Sequence, residues 1–109
     1  MAASINKTYH LFFSNLANPL RIGIISALKQ HEAGMSVKEL ASSLWVEQSK
    51  LSHALAHLRA CNLVIVKQKG KKRVYSLNKK TLLPMLEIID KHAKDNCGGN
   101  CSYCSKMDK

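Results

Sequence analysis

The chain has 109 residues and a formal net charge of +10, with 46% hydrophobic and 22% charged residues. That allows one small domain with an ordinary apolar core, and excludes both a disordered tail and a large catalytic barrel. Apolar stretches such as 22–28 are broken by Gly or Ser and fall far short of a membrane span. The N-terminus lacks a basic segment followed by an apolar run and a cleavage site, so neither membrane nor export is expected and the expected location is cytoplasmic.

Residues 7–17 place Tyr9, Phe12, Phe13 and Leu16 at helical spacing. Asn18-Pro19 breaks the pattern, and Pro19 suits the first turn of a second helix, 19–31, with Leu20, Ile24, Ile25 and Leu28 on one face and a stop near Gly34. Ser36 and Glu39 form a capping box for a third helix to Leu44, with Val37, Leu40, Ala41 and Leu44 inward. After a short turn (Trp45 to Glu47), residues 48–60 carry Leu51, Leu55 and Leu58 at helical spacing, so the pair reads as a helix-turn-helix. Trp45 is expected to pack at the turn, and Cys61 to face the core as a small hydrophobe. His10 and His31 read as ordinary surface or core-edge residues.

Asn62 can adopt the left-handed conformation that ends a helix. Leu63 to Val66 is strand-like, 67–73 holds one Gly among five cations, and Val74 to Leu77 is strand-like again: a hairpin with a long basic tip, or wing. Thr81 is placed to cap a last helix over 82–94, with Leu82, Leu83, Leu86, Ile89 and Ala93 or Met85 apolar. From Asp95 the periodicity is lost. The expected fold class is mainly α with a small β-hairpin, a winged helix-turn-helix in the order α-α-α-α-β-β-α. Residues 1–95 would form the winged-helix domain and 96–109 a cysteine-rich tail.

Between Lys50 and Lys80 the chain carries nine Lys or Arg residues and no Asp or Glu. A helix and a hairpin sharing an acid-free basic surface suit double-stranded DNA, the helix in the major groove and the hairpin along the phosphates. With Leu51, Leu55 and Leu58 turned inward, Gln48, Ser49, Lys50, Ser52 and His53 are the candidates for reading bases. His57 and Arg59 lie further along, where phosphates are expected. Lys69, Lys71, Lys72 and Arg73 would hold phosphates or the minor groove.

Cys97, Cys101 and Cys104 crowd into eight residues, while Cys61 stands apart. Three thiolates so spaced can converge on one thiophilic ion: zinc, cadmium, copper(I) or arsenite. With His92 upstream, a Cys₃His zinc site is geometrically open. The same spacing holds the four-iron cluster of radical SAM enzymes, although the chain has no room for their barrel and shows no catalytic pair, so no enzyme is expected. Gly98-Gly99 would let the backbone fold around a ligand, and Lys94 and Lys106 favour thiolates. A reversible disulfide switch is the other reading of the cluster.

The segments 12–28 (FFSNLANPLRIGIISAL), 37–44 (VKELASSL), 48–64 (QSKLSHALAHLRACNLV) and the wing GKKRVYSL resemble the ArsR/SmtB family of transcription repressors. The likeness covers about residues 8–95. It implies a homodimer through the first and last helices, binding to an inverted-repeat operator, and release of DNA by a metal, a metalloid or an oxidant. Apolar faces on both terminal helices fit that assembly. The family's metal motif at the start of the third helix is absent, since Ser36 and Lys38 stand there. Asp90-Lys91-His92 matches one half of a second family site, whose other half is missing. Trp45 stands where the family commonly has Gly. The function expected is therefore a repressor whose DNA affinity is controlled at Cys97, Cys101 and Cys104, with His92 and Asp90 as further ligands. The alternative is a DNA-binding module with a purely structural zinc or iron–sulfur tail.

Overall fold

A computed structural model describes residues 2–97 of the chain, with side chains for 6–96. The described elements run α1 (Ala2–Leu16), α2 (Pro19–Gln30), β1 (Met35–Ser36), α3 (Val37–Leu44), α4 (Gln48–Ala60), β2 (Val64–Lys69), β3 (Lys72–Leu77) and α5 (Leu82–Cys97). They fall into two compact units: residues 1–78 carry α1 to β3, and residues 79–109 carry α5. None of the described helices is by itself long and apolar enough to cross a membrane.

The break between α1 and α2 follows from local chemistry. Asn18 accepts the Arg21 backbone N–H at 3.1 Å, and Pro19 supplies the first turn with its fixed φ and missing N–H. The Arg21 guanidinium donates back to the Asn15 carbonyl at 3.0 Å and to its side-chain oxygen, which ties the corner together. α1 starts earlier than the apolar spacing indicates, because residues 2–6 contain no helix breaker. α2 buries Ile24, Ile25 and Leu28, whereas Leu20 is only half-buried.

The strand β1 has no signal in the sequence. It pairs antiparallel with β3, Met35 opposite Tyr75 and Ser36 opposite Val74, and makes the sheet order β1-β3-β2. Gly34 makes this approach feasible: its φ is +102°, and a Cβ there would lie 2.5 Å from Val74 Cγ1 and 2.9 Å from the Tyr75 carbonyl oxygen. The capping box then launches α3 from the strand. Ser36 Oγ accepts the Glu39 N–H at 3.2 Å, and the Glu39 carboxylate accepts the Ser36 N–H at 2.9 Å.

α3 and α4 pack together through Leu40 and Ala41 on one side and Leu51, Ala54, Leu55 and Leu58 on the other, all buried. The hairpin is more regular than expected. Its strands extend to the Lys69–Lys72 pair, so the long basic tip shrinks to a two-residue turn at Gly70-Lys71. Gly70 has φ +65°, the conformation that lets a tight turn match the strand twist, and Gln68 Nε2 donates to the Gly70 carbonyl at 2.9 Å.

Two expectations are corrected. Trp45 does not pack: it is 94% exposed. It occupies the left-handed position after α3, with φ 57° and its N–H donating to the Ala41 carbonyl. Val46 N–H reaches the same carbonyl at 3.1 Å, the closure of a Schellman-type helix end that normally uses Gly. Cys61 does not face the core: α4 stops at Ala60 and Cys61 is exposed in the cap. Asn62, at φ 59°, swings the chain so that Leu63 enters the core instead, its N–H donating to the Leu58 carbonyl at 3.0 Å.

In the second unit, Met85 N–H donates to the Thr81 carbonyl at 3.2 Å, and α5 runs on past Lys94 to Cys97. Lys91 and Asp95 pair at 2.7 Å, and Asn96 Nδ2 donates to the His92 carbonyl at 3.1 Å. These i,i+4 contacts carry the helix through the segment where apolar periodicity fades.

Opposite substitutions at the two strained positions should separate close approach from conformation. Gly34→Ala should cost about 2 kcal/mol or more, because the methyl meets backbone and the φ is unfavourable. Trp45→Gly should instead gain about 1 kcal/mol, since little packing is lost and left-handed strain is relieved. Urea melts of both variants check the signs. The Ser36 backbone N–H and then its hydroxyl hold the Glu39 carboxyl below its ordinary value of 4.5. A lowered folded value means that the capping box stabilises fully above about pH 4.5 and loses that contribution as pH falls through the folded value. Ser36→Ala should cost about 1 kcal/mol near neutrality, and Glu39→Gln, which cannot titrate, should flatten the acid side of the stability–pH curve.

Candidate nucleic-acid interface

α4 divides cleanly. With Leu51, Ala54, Leu55 and Leu58 buried, the residues turned outward are Gln48, Ser49, Lys50, Ser52, His53, Ala56, His57, Arg59 and Ala60. Every expected base-reading or phosphate-holding residue of this helix is thus exposed, which follows from the 3.6-residue period. Glu47 is the N-cap and makes no side-chain capping bond, so the first-turn N–H groups keep the anion-attracting end of the helix dipole without an internal acceptor. The rings of His53 and His57 meet edge to face with centroids 5.0 Å apart, one turn from each other on the outer face.

The wing cations split between two faces because strand residues alternate. Lys67, Lys69 and Lys72 share one face, the last two directly opposite each other. Arg73 lies on the other face, with its guanidinium carbon 5.9 Å from the centre of the Tyr75 ring. There it joins Ser52, Ala56 and Arg59 in a groove of about 560 Å³ between α4 and β3. Lys72 and Arg73 also line a second hollow of about 410 Å³ at the start of α3, with Lys38 and Glu39. Lys71 sits exposed in the tip.

One residue of this surface escapes a reading based on polar side chains, and a further cation joins the wing. Ala56 lies mid-helix on the outward face, where a methyl group can touch a thymine methyl and where nothing larger blocks the groove. The helical period alone would have found it. Lys67 belongs with the wing cations once β2 is seen to extend through it.

The cysteine cluster is placed only in part. α5 holds Asp90 and His92 at exposed positions and ends at Cys97, whose side chain lies outside the described ones, as do Cys101 and Cys104 altogether. His92 Nδ1 lies 3.3 Å from the Asn96 amide nitrogen. Among the described residues, no three His, Cys, Asp or Glu side chains converge to hold a metal ion.

Residues 18–66, from the cap of α2 to the middle of β2, match the model of the arsR family of bacterial regulatory proteins. Over 85 residues the chain is 33% identical to a "Transcriptional repressor SmtB homolog" of Synechocystis, covering 78% of this chain and 63% of that protein. It is 37% identical over 78 residues to the nodulation protein NolR of Rhizobium meliloti, covering 72% of this chain and 62% of that one. The solved NolR structure from Sinorhizobium fredii superposes with a TM-score of 0.72 at 29% identity, over 83% of this chain and 88% of that one. The chain therefore spans less than two thirds of the length of these two curated relatives. An HTH-type regulator of Mycobacterium tuberculosis, Rv0081, is 35% identical over 81 residues, covering 73% of this chain and 69% of that protein. Its crystal structure gives a TM-score of 0.75 at 29% identity, over 86% of this chain and 93% of that one.

Proposed function

The chain belongs to the ArsR family of bacterial regulatory proteins and is a winged-helix transcriptional regulator rather than an enzyme, and from that premise we propose that it represses transcription by binding an inverted-repeat operator as a homodimer. The observation that carries the reading is the outward face of α4: every polar residue expected to touch DNA is exposed, next to a groove that brings Arg59 and Arg73 together.

The roles follow from the side-chain chemistry. Gln48 can pair with both polar atoms of an adenine edge, Lys50 can donate to guanine, and Ser49, Ser52 and His53 accept several bases. His57, Arg59, Lys69, Lys71, Lys72 and Arg73 hold phosphates and release counterions as they do so. The partner copy joins through α1 and α5. Tyr9, Leu11 and Phe13 of α1 are 56–60% exposed, and Ile88 and Ile89 of α5 are 68% and 52% exposed, apolar area that a second chain would cover. The protein acts on chromosomal DNA in the cytoplasm.

Affinity for the operator is controlled by a thiophilic metal, a metalloid or a redox signal at Cys97, Cys101 and Cys104, with His92 and Asp90 in reach along the sequence. The spacing of three thiols and the exposure of His92 support this reading. The ion would draw thiolates from the tail toward α5, and ligation there would favour one spacing of the two α4 helices over another.

Lys71→Ala with Lys72→Ala should weaken binding to every duplex sequence, and should reduce the slope of log K against log salt by about 2. Anisotropy of labelled DNA over a salt series reads this; an unchanged slope removes the wing tip from the interface. For the sensor, protein purified without oxygen is analysed for metal and sulfide beside a Cys97→Ser/Cys101→Ser/Cys104→Ser variant. Arsenite, cadmium or an oxidant should then release DNA from the native chain and leave the variant bound. Release from both would move the sensor elsewhere, and release from neither would make the tail structural.

A further inference from the structure

Trp45 is the only tryptophan in the chain, and the folded protomer gains almost nothing from it. It is 94% exposed, so its large apolar ring contributes no burial. It also holds a left-handed backbone, φ 57°, which any residue with a Cβ adopts at a cost and which glycine would take freely. Asn62, the other non-glycine residue with a positive φ among the described residues, is a type that tolerates it. A bulky aromatic in that conformation, turned to water, is a local rule broken without an internal gain, and such positions cluster where a partner binds.

Its place says which partner. Trp45 follows α3 as its cap and stands three residues before Gln48, the first residue of α4. Three peptide units limit the separation of the two Cα atoms to about 11 Å. The major groove is only about 12 Å wide, so a helix whose first turn lies in it has a sugar–phosphate wall on either side within that distance. An exposed indole within this radius is close enough to reach one of those walls. Lys50, in the first turn of α4, is exposed as well.

We infer that Trp45 is a DNA contact: its ring packs on the deoxyribose edge of the groove wall beside the first turn of α4, and Nε1–H donates to a phosphate oxygen. An indole suits that surface, since its body is apolar and its single donor is polar. The contact is indifferent to sequence and fixes how deeply α4 enters the groove. This rests on the DNA-binding reading given above and deepens it.

The full chain is titrated with a duplex selected from a random pool by binding to the protein, while labelled-DNA anisotropy and Trp45 fluorescence are read together. Because there is one tryptophan, emission reports this site alone. The expected result is a blue shift and a loss of acrylamide quenching with the same midpoint as the anisotropy. Trp45→Gly, which should melt no earlier than the native chain, should bind roughly tenfold more weakly, and Trp45→Phe should recover part of the loss. Anisotropy that rises while emission and quenching stay unchanged overturns the inference and leaves DNA binding intact. Protection that grows with protein concentration in the absence of DNA also overturns it, since a second copy would then cover the ring. If no duplex is enriched from the pool, the DNA-binding reading itself fails.

Discussion

Residues 34–36 join the parts that the rest of the first unit depends on. Gly34 lets the chain run against β3, Ser36 pairs with Val74 in the sheet, and the same serine caps α3 through its hydroxyl and its N–H. One residue thus belongs to both the wing and the helix-turn-helix. The consequence is mechanical. α3 and α4 pack through Leu40, Ala41, Leu51 and Leu55, so anchoring α3 to β3 anchors α4 to β3 as well. The groove lined by Ser52, Arg59 and Arg73 lies between elements that are tied at this point. A reading head that must match a rigid duplex needs such a tie, since each added degree of freedom would have to be frozen on binding.

Much of this was legible from spacing alone, for a physical reason. Several helix ends fall where expected because they have a local signal: Asn18-Pro19 starts α2, Ser36 with Glu39 starts α3, and Asn62 follows α4. The exposed face of α4 followed from three leucines and a period of 3.6. What was not legible depends on contacts distant in sequence. β1 is two residues long and exists because β3 offers an edge, forty residues further on. The hairpin strands extend into the basic run because pairing of backbone groups outweighs the low strand propensity of lysine. Cys61 was misplaced by carrying the helical period one residue too far, past the point where α4 stops. Trp45 was misplaced by the ordinary rule that large apolar residues are buried, which has no term for function.

The surface proposed to meet DNA is not arranged for the comfort of the free protein. Lys69 and Lys72 stand directly opposite each other in the last pair of the hairpin, where like charges repel. α4 starts without a side-chain cap, although residues that could cap it are common. Both features raise the energy of the isolated fold slightly, and a polyanion would relieve both. The arrangement behind them is the reverse: Ile24, Leu28, Leu40, Leu51, Leu55 and Leu58 are at most 1% exposed, and no described acid faces them. Stability concentrates inside the first unit, and tension is left on its outer face.

The same contrast bears on how a signal could reach the reading head. The two helices expected to join the copies, α1 and α5, carry exposed apolar side chains, and the first unit contains none of the clustered thiols. A ligand bound near the end of α5 would act at the assembly of two copies rather than inside one. Within one copy, the Gly34–Ser36 tie resists any change in the angle between wing and α4. In the proposed dimer the adjustable quantity would then be the distance and orientation between two heads, and an inverted repeat would be sensitive to it because its half-sites have a fixed spacing along the duplex. A stiff head and a ligand-dependent joint would give a large change in DNA affinity from a small movement, whereas a soft head would absorb the movement before the DNA felt it.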